Sequence, residues 1–165
     1  MKASKKRGRA LFRSGGRKAR VLIASVEPTF SQLFGVMIRE VTGGQCRIFE
    51  CHVGVEIQIL ARNHPFDLFI AVMNNIMFPS VAVLREKPWE RSVMLIEELK
   101  RCHGMPVIAY CGLGPKDGGD VWLSEAKTAG ADFAFSLPWD AVSFRAAVLS
   151  CLGGGTLPSG ITVRS

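Results

Sequence analysis

This sequence lacks long apolar runs, closely paired cysteines and an apolar segment after its first charged residues. No run approaches the roughly 18 apolar residues that cross a membrane, so no membrane span is predicted. The basic start is not followed by the apolar stretch of a signal peptide. The five cysteines form an odd, widely spaced set without a C-x-x-C pair, which argues against a disulfide scaffold or a zinc ribbon. We therefore expect reduced thiols and a cytoplasmic protein.

Acidic residues are absent from positions 1 to 20, which hold nine of the 21 lysines and arginines. The remainder has 12 basic and 14 acidic residues, so the net charge of +7 belongs to one end of the chain. Residues 1–19 are predicted to form a basic, disordered tail, since their apolar content is too low to offset the entropy of ordering. This tail could be a solubilising segment, or it could bind nucleic acid or an anionic membrane surface without specificity.

Short β-branched runs alternate with segments of helical periodicity between residues 20 and 152. The predicted strands are Arg20–Ser25, Cys46–Cys51, Asp67–Met73, Pro106–Cys111 and Asp132–Ser136. The predicted helices run from Pro28-Thr29, capped by Thr29, to Gly43, and then over 53–62, 91–101, 120–128 and 138–152. This rhythm predicts a single α/β domain, doubly wound, with a five-stranded parallel sheet and helices on both faces. Residues 153–165 are predicted to be a loose tail.

One link is oversized, because 74–90 separates the third strand from its helix. It contains the apolar run Val81 to Leu84 and, later, Trp89. A long loop of this composition is expected to pack either on its own domain or on a partner.

Several segments resemble response-regulator receiver domains, the CheY-like family. Residues 129–138, Ala-Gly-Ala-Asp-Phe-Ala-Phe-Ser-Leu-Pro, are similar to the Ala-Gly-Ala…Lys-Pro end of receivers. Glu27-Pro28, 65–68 and 105–108 lie at matching positions after the first strand, before the third and in the fourth. The resemblance covers about 20–152 and implies a flavodoxin-like strand order of 2-1-3-4-5. It also implies a cis bond between Leu137 and Pro138.

The resemblance locates the family's phosphorylation pocket on residues that lack its chemistry. The two carboxylates that hold Mg²⁺ fall on Ser25 and Val26, beside which Glu27 is the remaining acid. The phosphoacceptor aspartate falls on Val72. The hydroxyl residue and the lysine that pair with the phosphoryl group fall on Cys111 and Leu137. These replacements imply a degenerate pseudo-receiver that is not an enzyme.

Other candidate sites have structural alternatives. Cys111 with His52 or His103 would be a thiol–imidazole pair, but an inert, packed cysteine is favoured. The isolated histidines predict no metal site, and no cofactor is predicted. The glycine-rich stretch 112–119 could cradle an anion beside Lys116, although it matches no phosphate-binding motif and is better explained as a flexible loop.

The leading hypothesis is a regulator that acts through phosphorylation-independent protein–protein contact, with another protein or a second copy as its partner. In receivers the last strand and helix commonly form the partner surface. The corresponding candidates here are Phe133, Phe135, Trp139, Val142 and Phe144. The long loop supplies a second set: Val81, Leu84 and Trp89.

Two alternatives remain open at this stage. The first is a small-molecule or anion sensor that uses Asn74, Asn75 and Lys116 at the strand ends. The second is a nucleic-acid-associated regulator that uses the basic tail.

Overall fold

Five parallel strands form one sheet in the order β2-β1-β3-β4-β5, which confirms the predicted topology. The computed structural model describes residues 17–25, 27–73 and 90–153. The strands are β1 (Ala19–Ala24), β2 (Cys46–Cys51), β3 (Leu68–Val72), β4 (Val107–Cys111) and β5 (Phe133–Ser136). The predicted loop residues 74–89, the tail residues 1–16 and the end of the chain after 153 lie outside the described residues.

Each strand is followed by a helix. The helices are α1 (Pro28–Val41), α2 (Gly54–Asn63), α3 (Glu90–His103), α4 (Gly119–Thr128) and α5 (Ala141–Cys151). The predicted cap at Thr29 is wrong: Pro28 occupies the first turn, and the residue at the cap position is Glu27, which makes no side-chain cap. Asp140 does cap α5, accepting bonds from the backbone of Val142 and Ser143.

Strict alternation along the strands divides the core into two layers. In β1, Val21 and Ile23 face α1 and α5, whereas Leu22 and Ala24 face α2, α3 and α4. The central strand β3 is buried at every position, as expected of a parallel strand covered on both faces. The helices thus cover both faces of the sheet, as predicted.

Polar anchors fix the amino edge, the edge of the sheet at which the strands begin. Asp67 accepts a hydrogen bond of 2.8 Å from the backbone N–H of Arg20 and is also ion-paired with Arg17. β1 begins at Ala19, one residue before the predicted strand, and Arg17 is hydrogen-bonded to Asp67 just before β3. Within the described ranges, no helix is both long and apolar enough to cross a bilayer.

Candidate functional site

The residues aligned with a receiver's phosphorylation pocket lie at the carboxyl edge, the edge of the sheet at which the strands end. Ser25 follows β1, Val72 ends β3, Cys111 ends β4 and Leu137 follows β5. Ser25, Val72 and Cys111 are fully buried, and Leu137 is 39% exposed. Val26 lies outside the described residues. The fold therefore assembles these strand ends, but it places buried, largely apolar groups there.

Ser25 has a structural role in the turn that leaves β1. Its Oγ accepts a hydrogen bond of 3.1 Å from the N–H of Glu27 and donates one of 3.1 Å to the carbonyl of the same residue. Its own carbonyl contacts Nδ1 of His52, and its N–H donates to the carbonyl of Cys51 at 3.0 Å. The hydroxyl is thus engaged by the turn, and the imidazole of His52 is held at the neighbouring strand end.

An aromatic cluster fills the carboxyl edge on the side of α1 and α5. The cluster comprises Phe30, Phe34, Tyr110, Trp139 and Phe144. Tyr110 is central, with ring centroids at 5.4 Å from Phe30, 5.1 Å from Phe34 and 6.0 Å from Trp139. Edge-to-face and tilted contacts at these distances are the favoured geometries for aromatic pairs. Val72 belongs to the same core layer and pairs in register with Tyr110 on β4, so the phosphoacceptor position lies next to the central ring of this cluster.

The end of β3 is bonded into the sheet and to the following helix. The N–H of Met73 donates to the carbonyl of Tyr110 at 2.8 Å, and its carbonyl accepts from the buried hydroxyl of Ser92 at 2.8 Å. The backbone groups next to Val72 are therefore satisfied by the protein itself.

Cys111 has the properties of a packed cysteine. Burial raises the pKa of its thiol, which keeps it protonated and weakly nucleophilic. His52 contacts Ser25, and His103 lies at the amino edge beside Gly104, so neither thiol–imidazole arrangement is assembled. No group of three or more potential metal ligands occurs within the described ranges.

The glycine-rich loop after β4 has a structural explanation. Gly118 has a φ of +87°, and a side chain on Gly119 would meet the carbonyl oxygen of Leu113 at 2.5 Å. Glycine is thus needed for the close approach that begins α4. Lys116 is exposed in a short 3-10 turn, while the proposed companions Asn74 and Asn75 lie outside the described residues.

The predicted partner surface on the last strand and helix needs correction. Phe135 and Phe144 are buried in the core, because they point inward at alternating and helical spacing, so they cannot form a surface. Phe133 and Trp139 are half-buried against the same core layer. Val142 is 61% exposed and remains available. The candidates Val81, Leu84 and Trp89 lie outside the described residues.

Two surface features were missed by the sequence reasoning. A groove of about 520 Å³ lies between α2 and α3, next to exposed Val55 and Met94. The exposed apolar residue Val55 on α2 was a signal of it in the sequence. The other feature is a cluster of cations at the amino edge, which brings Arg47 next to residues from the end of the predicted tail. The cluster forms because β1 pairs with β2, which brings Arg47 beside Arg20.

The fold is shared with receiver domains of known structure. A two-component response regulator from Clostridium difficile superposes with a TM-score of 0.62 at 13% identity, over 82% of this chain and 97% of that chain. The receiver domain of NtrX from Brucella abortus gives a TM-score of 0.63 at 14% identity, over 82% and 99% of the two chains.

A third similar structure is the receiver domain of the sensor histidine kinase PA1611 from Pseudomonas aeruginosa PAO1, which has a magnesium ion coordinated in its active site cleft. It gives a TM-score of 0.59 at 14% identity, over 82% of this chain and 98% of that chain. No protein-family model and no curated protein matches the sequence. The strand order, the helix positions and these superpositions together show that this chain has the fold of response-regulator receiver domains, with a cis Leu137–Pro138 bond as predicted.

Proposed function

We propose that this protein is a pseudo-receiver, a regulatory domain in signal transduction that acts by protein–protein contact and without phosphorylation. The observation that carries the proposal is that Val72 is fully buried and lies beside Tyr110, the central ring of the aromatic cluster, on the neighbouring strand. A phosphoryl group and its metal ion need an open, polar cleft, whereas this position is fully buried in an apolar layer.

The charges at the carboxyl edge support the same proposal. Mg²⁺ prefers carboxylate and other oxygen ligands, and several of them at once. At the aligned positions that the structure describes, Glu27 is the one carboxylate, and it is exposed. Leu137 stands where a lysine would neutralise the phosphoryl charge, so this position supplies no charge to compensate for an added dianion.

The proposed contact surface is the exposed side of β5, which is an edge strand flanked by α4 and α5. Three exposed apolar side chains lie near its carboxyl end: Val121, Leu137 and Val142. Exposed apolar side chains on neighbouring elements are typical of protein interaction sites. We propose that the partner is another protein. We also propose that this chain is located in the cytoplasm, since all five of its cysteines are free thiols.

Incubation with acetyl phosphate and Mg²⁺, followed by intact-mass spectrometry, tests the proposal. We expect an unchanged mass under conditions that label a receiver with an intact acidic pocket. A stable phosphoryl adduct would overturn the assignment. Val142→Asp should weaken partner capture, whereas Val36→Asp, at an equally exposed valine on α1, should leave it unchanged.

A further inference from the structure

A basic groove of about 440 Å³ lies at the amino edge, at the end of the strands opposite the degenerate pocket. It is lined by Arg17, Lys18, Arg20, Arg47 and Pro65. Four of these five residues are cations, and they come from three parts of the chain: the approach to β1, β1 itself and β2. The groove is independent of the proposed protein-contact function.

Two of the cations are direct neighbours on the sheet. Arg20 of β1 pairs in register with Arg47 of β2, so their side chains leave the same face of adjacent strands. Like charges at opposed positions repel each other and lower the stability of a sheet. An anion bound between the two side chains would relieve this repulsion.

The guanidinium of Arg20 is held in place by aromatic rings. Its central carbon lies 5.1 Å from the ring centroid of Phe49 and 5.5 Å from that of Phe66. Its Nε is buried and has no hydrogen-bond partner. Cation–π contacts of this kind hold the planar group in place without using its N–H donors.

The carboxylate of Asp67 is bonded to two residues of the groove. Asp67 is ion-paired with Arg17 and accepts the backbone N–H of Arg20. Asp67 can offset the charge of one of the four lining cations, and no acidic residue is among the five that line the groove. Six more lysines and arginines lie between residues 2 and 13, immediately before the groove in the sequence.

We propose that the basic groove binds the phosphate backbone of a nucleic acid, without sequence specificity. Three of the four cations are arginines, whose planar donors match phosphate oxygens in pairs. The groove is concave, and this shape suits a strand of phosphodiesters. A flat bilayer would instead be contacted by cations that protrude from the protein surface. Apart from Pro65, the lining offers no apolar side chain for insertion into lipid.

The test is fluorescence anisotropy of the full chain with a labelled oligonucleotide over a series of salt concentrations. We expect the affinity to fall steeply with salt, with a slope of about 0.9 per phosphate neutralised on duplex DNA. Lys18→Gln with Arg47→Gln should weaken binding and lower that slope by about one for each cation removed. Lys127→Gln, at an exposed cation on α4, is the matched control and should change neither quantity.

Two outcomes would overturn the proposal. If Lys5→Gln with Lys6→Gln reduces the slope while the Lys18 and Arg47 changes do not, the tail binds alone and the groove is not a site. If the chain binds phosphatidylserine vesicles through Lys18 and Arg47 but not the oligonucleotide, the ligand is a membrane surface. Circular dichroism of each variant establishes that it is folded.

Discussion

Lys100 and Asp132 join α3 to the start of β5, with Nζ of the lysine 2.7 Å from Oδ2 of the aspartate. The same oxygen accepts a hydrogen bond of 2.8 Å from the backbone N–H of Val107, at the start of β4. Asp67 makes the equivalent bond to the N–H of Arg20, between β3 and β1. Two aspartates therefore close the amino edge in the same way, each satisfying a backbone donor of the neighbouring strand.

Asp132→Ala should destabilise the fold, because it leaves the N–H of buried Val107 without its acceptor. An unsatisfied buried donor costs about 1–3 kcal/mol, and urea unfolding should show a loss of this size. Asp132→Asn keeps an acceptor and should lose less. Lys100→Met removes a half-exposed ion pair and should cost less than about 1 kcal/mol. If the lysine variant is the more damaging, the ion pair and not the backbone bond holds this corner.

The sequence pattern was sufficient to predict the parallel sheet, since the five strands are short apolar runs and each is followed by a periodic helix. The strand order was implied by the resemblance to receivers. Six of the ten strand ends differ from the prediction by one residue, and the other four agree with it. Propensity alone could not identify the start of α1, where Pro28 displaces the expected Thr29 cap. Because the strands are parallel, their carboxyl ends lie at one edge of the sheet. This could be predicted without knowing how the side chains pack.

The candidate site was less predictable, because burial is decided by tertiary packing. Phe133 and Phe135 are two residues apart in β5 and face the same core layer, yet they were assigned to a surface. Trp139 follows the strand in a turn, and only the structure shows its ring 6.0 Å from that of Tyr110. The pairing of Arg20 with Arg47 spans 27 positions and depends on β1 lying beside β2.

Restoring an acid at the phosphoacceptor position should damage the protein rather than reactivate it. Val72→Asp places a carboxylate in a fully buried apolar layer, which should cost about 3 kcal/mol or more at pH 7. Burial raises the folded-state pKa of such a group, so the penalty should shrink as the pH falls towards its unfolded value near 4. Val72→Asn is the control, since its penalty should not vary with pH. A Val72→Asp protein as stable as the parent would show that the pocket is open.

The cap of α5 should make stability depend on acidic pH. Hydrogen bonds from Ser143 and Val142 hold the pKa of Asp140 below its ordinary value. A carboxyl with a lowered folded-state pKa stabilises the protein above its unfolded pKa, and this contribution disappears as the pH falls through the folded value. The melting temperature should therefore drop below about pH 4 by more in the parent than in Asp140→Ala. Asp140→Asn should still cap the helix but without this pH dependence.

Thiol reactivity should follow burial, with Cys102 modified first by iodoacetamide and Cys111 among the last. Cys102 is exposed on α3, whereas Cys111 is fully buried. Burial also raises the pKa of Cys111, and it raises the pKa of Cys151 to about 12, so neither thiol ionises readily near neutral pH. Time-resolved peptide mass spectrometry at pH 8 gives the order, and Cys102→Ser identifies the fast phase. Rapid labelling of Cys111 in the folded protein would instead indicate an activated thiol at the carboxyl edge, and the interpretation of that edge as a closed, apolar layer would be wrong.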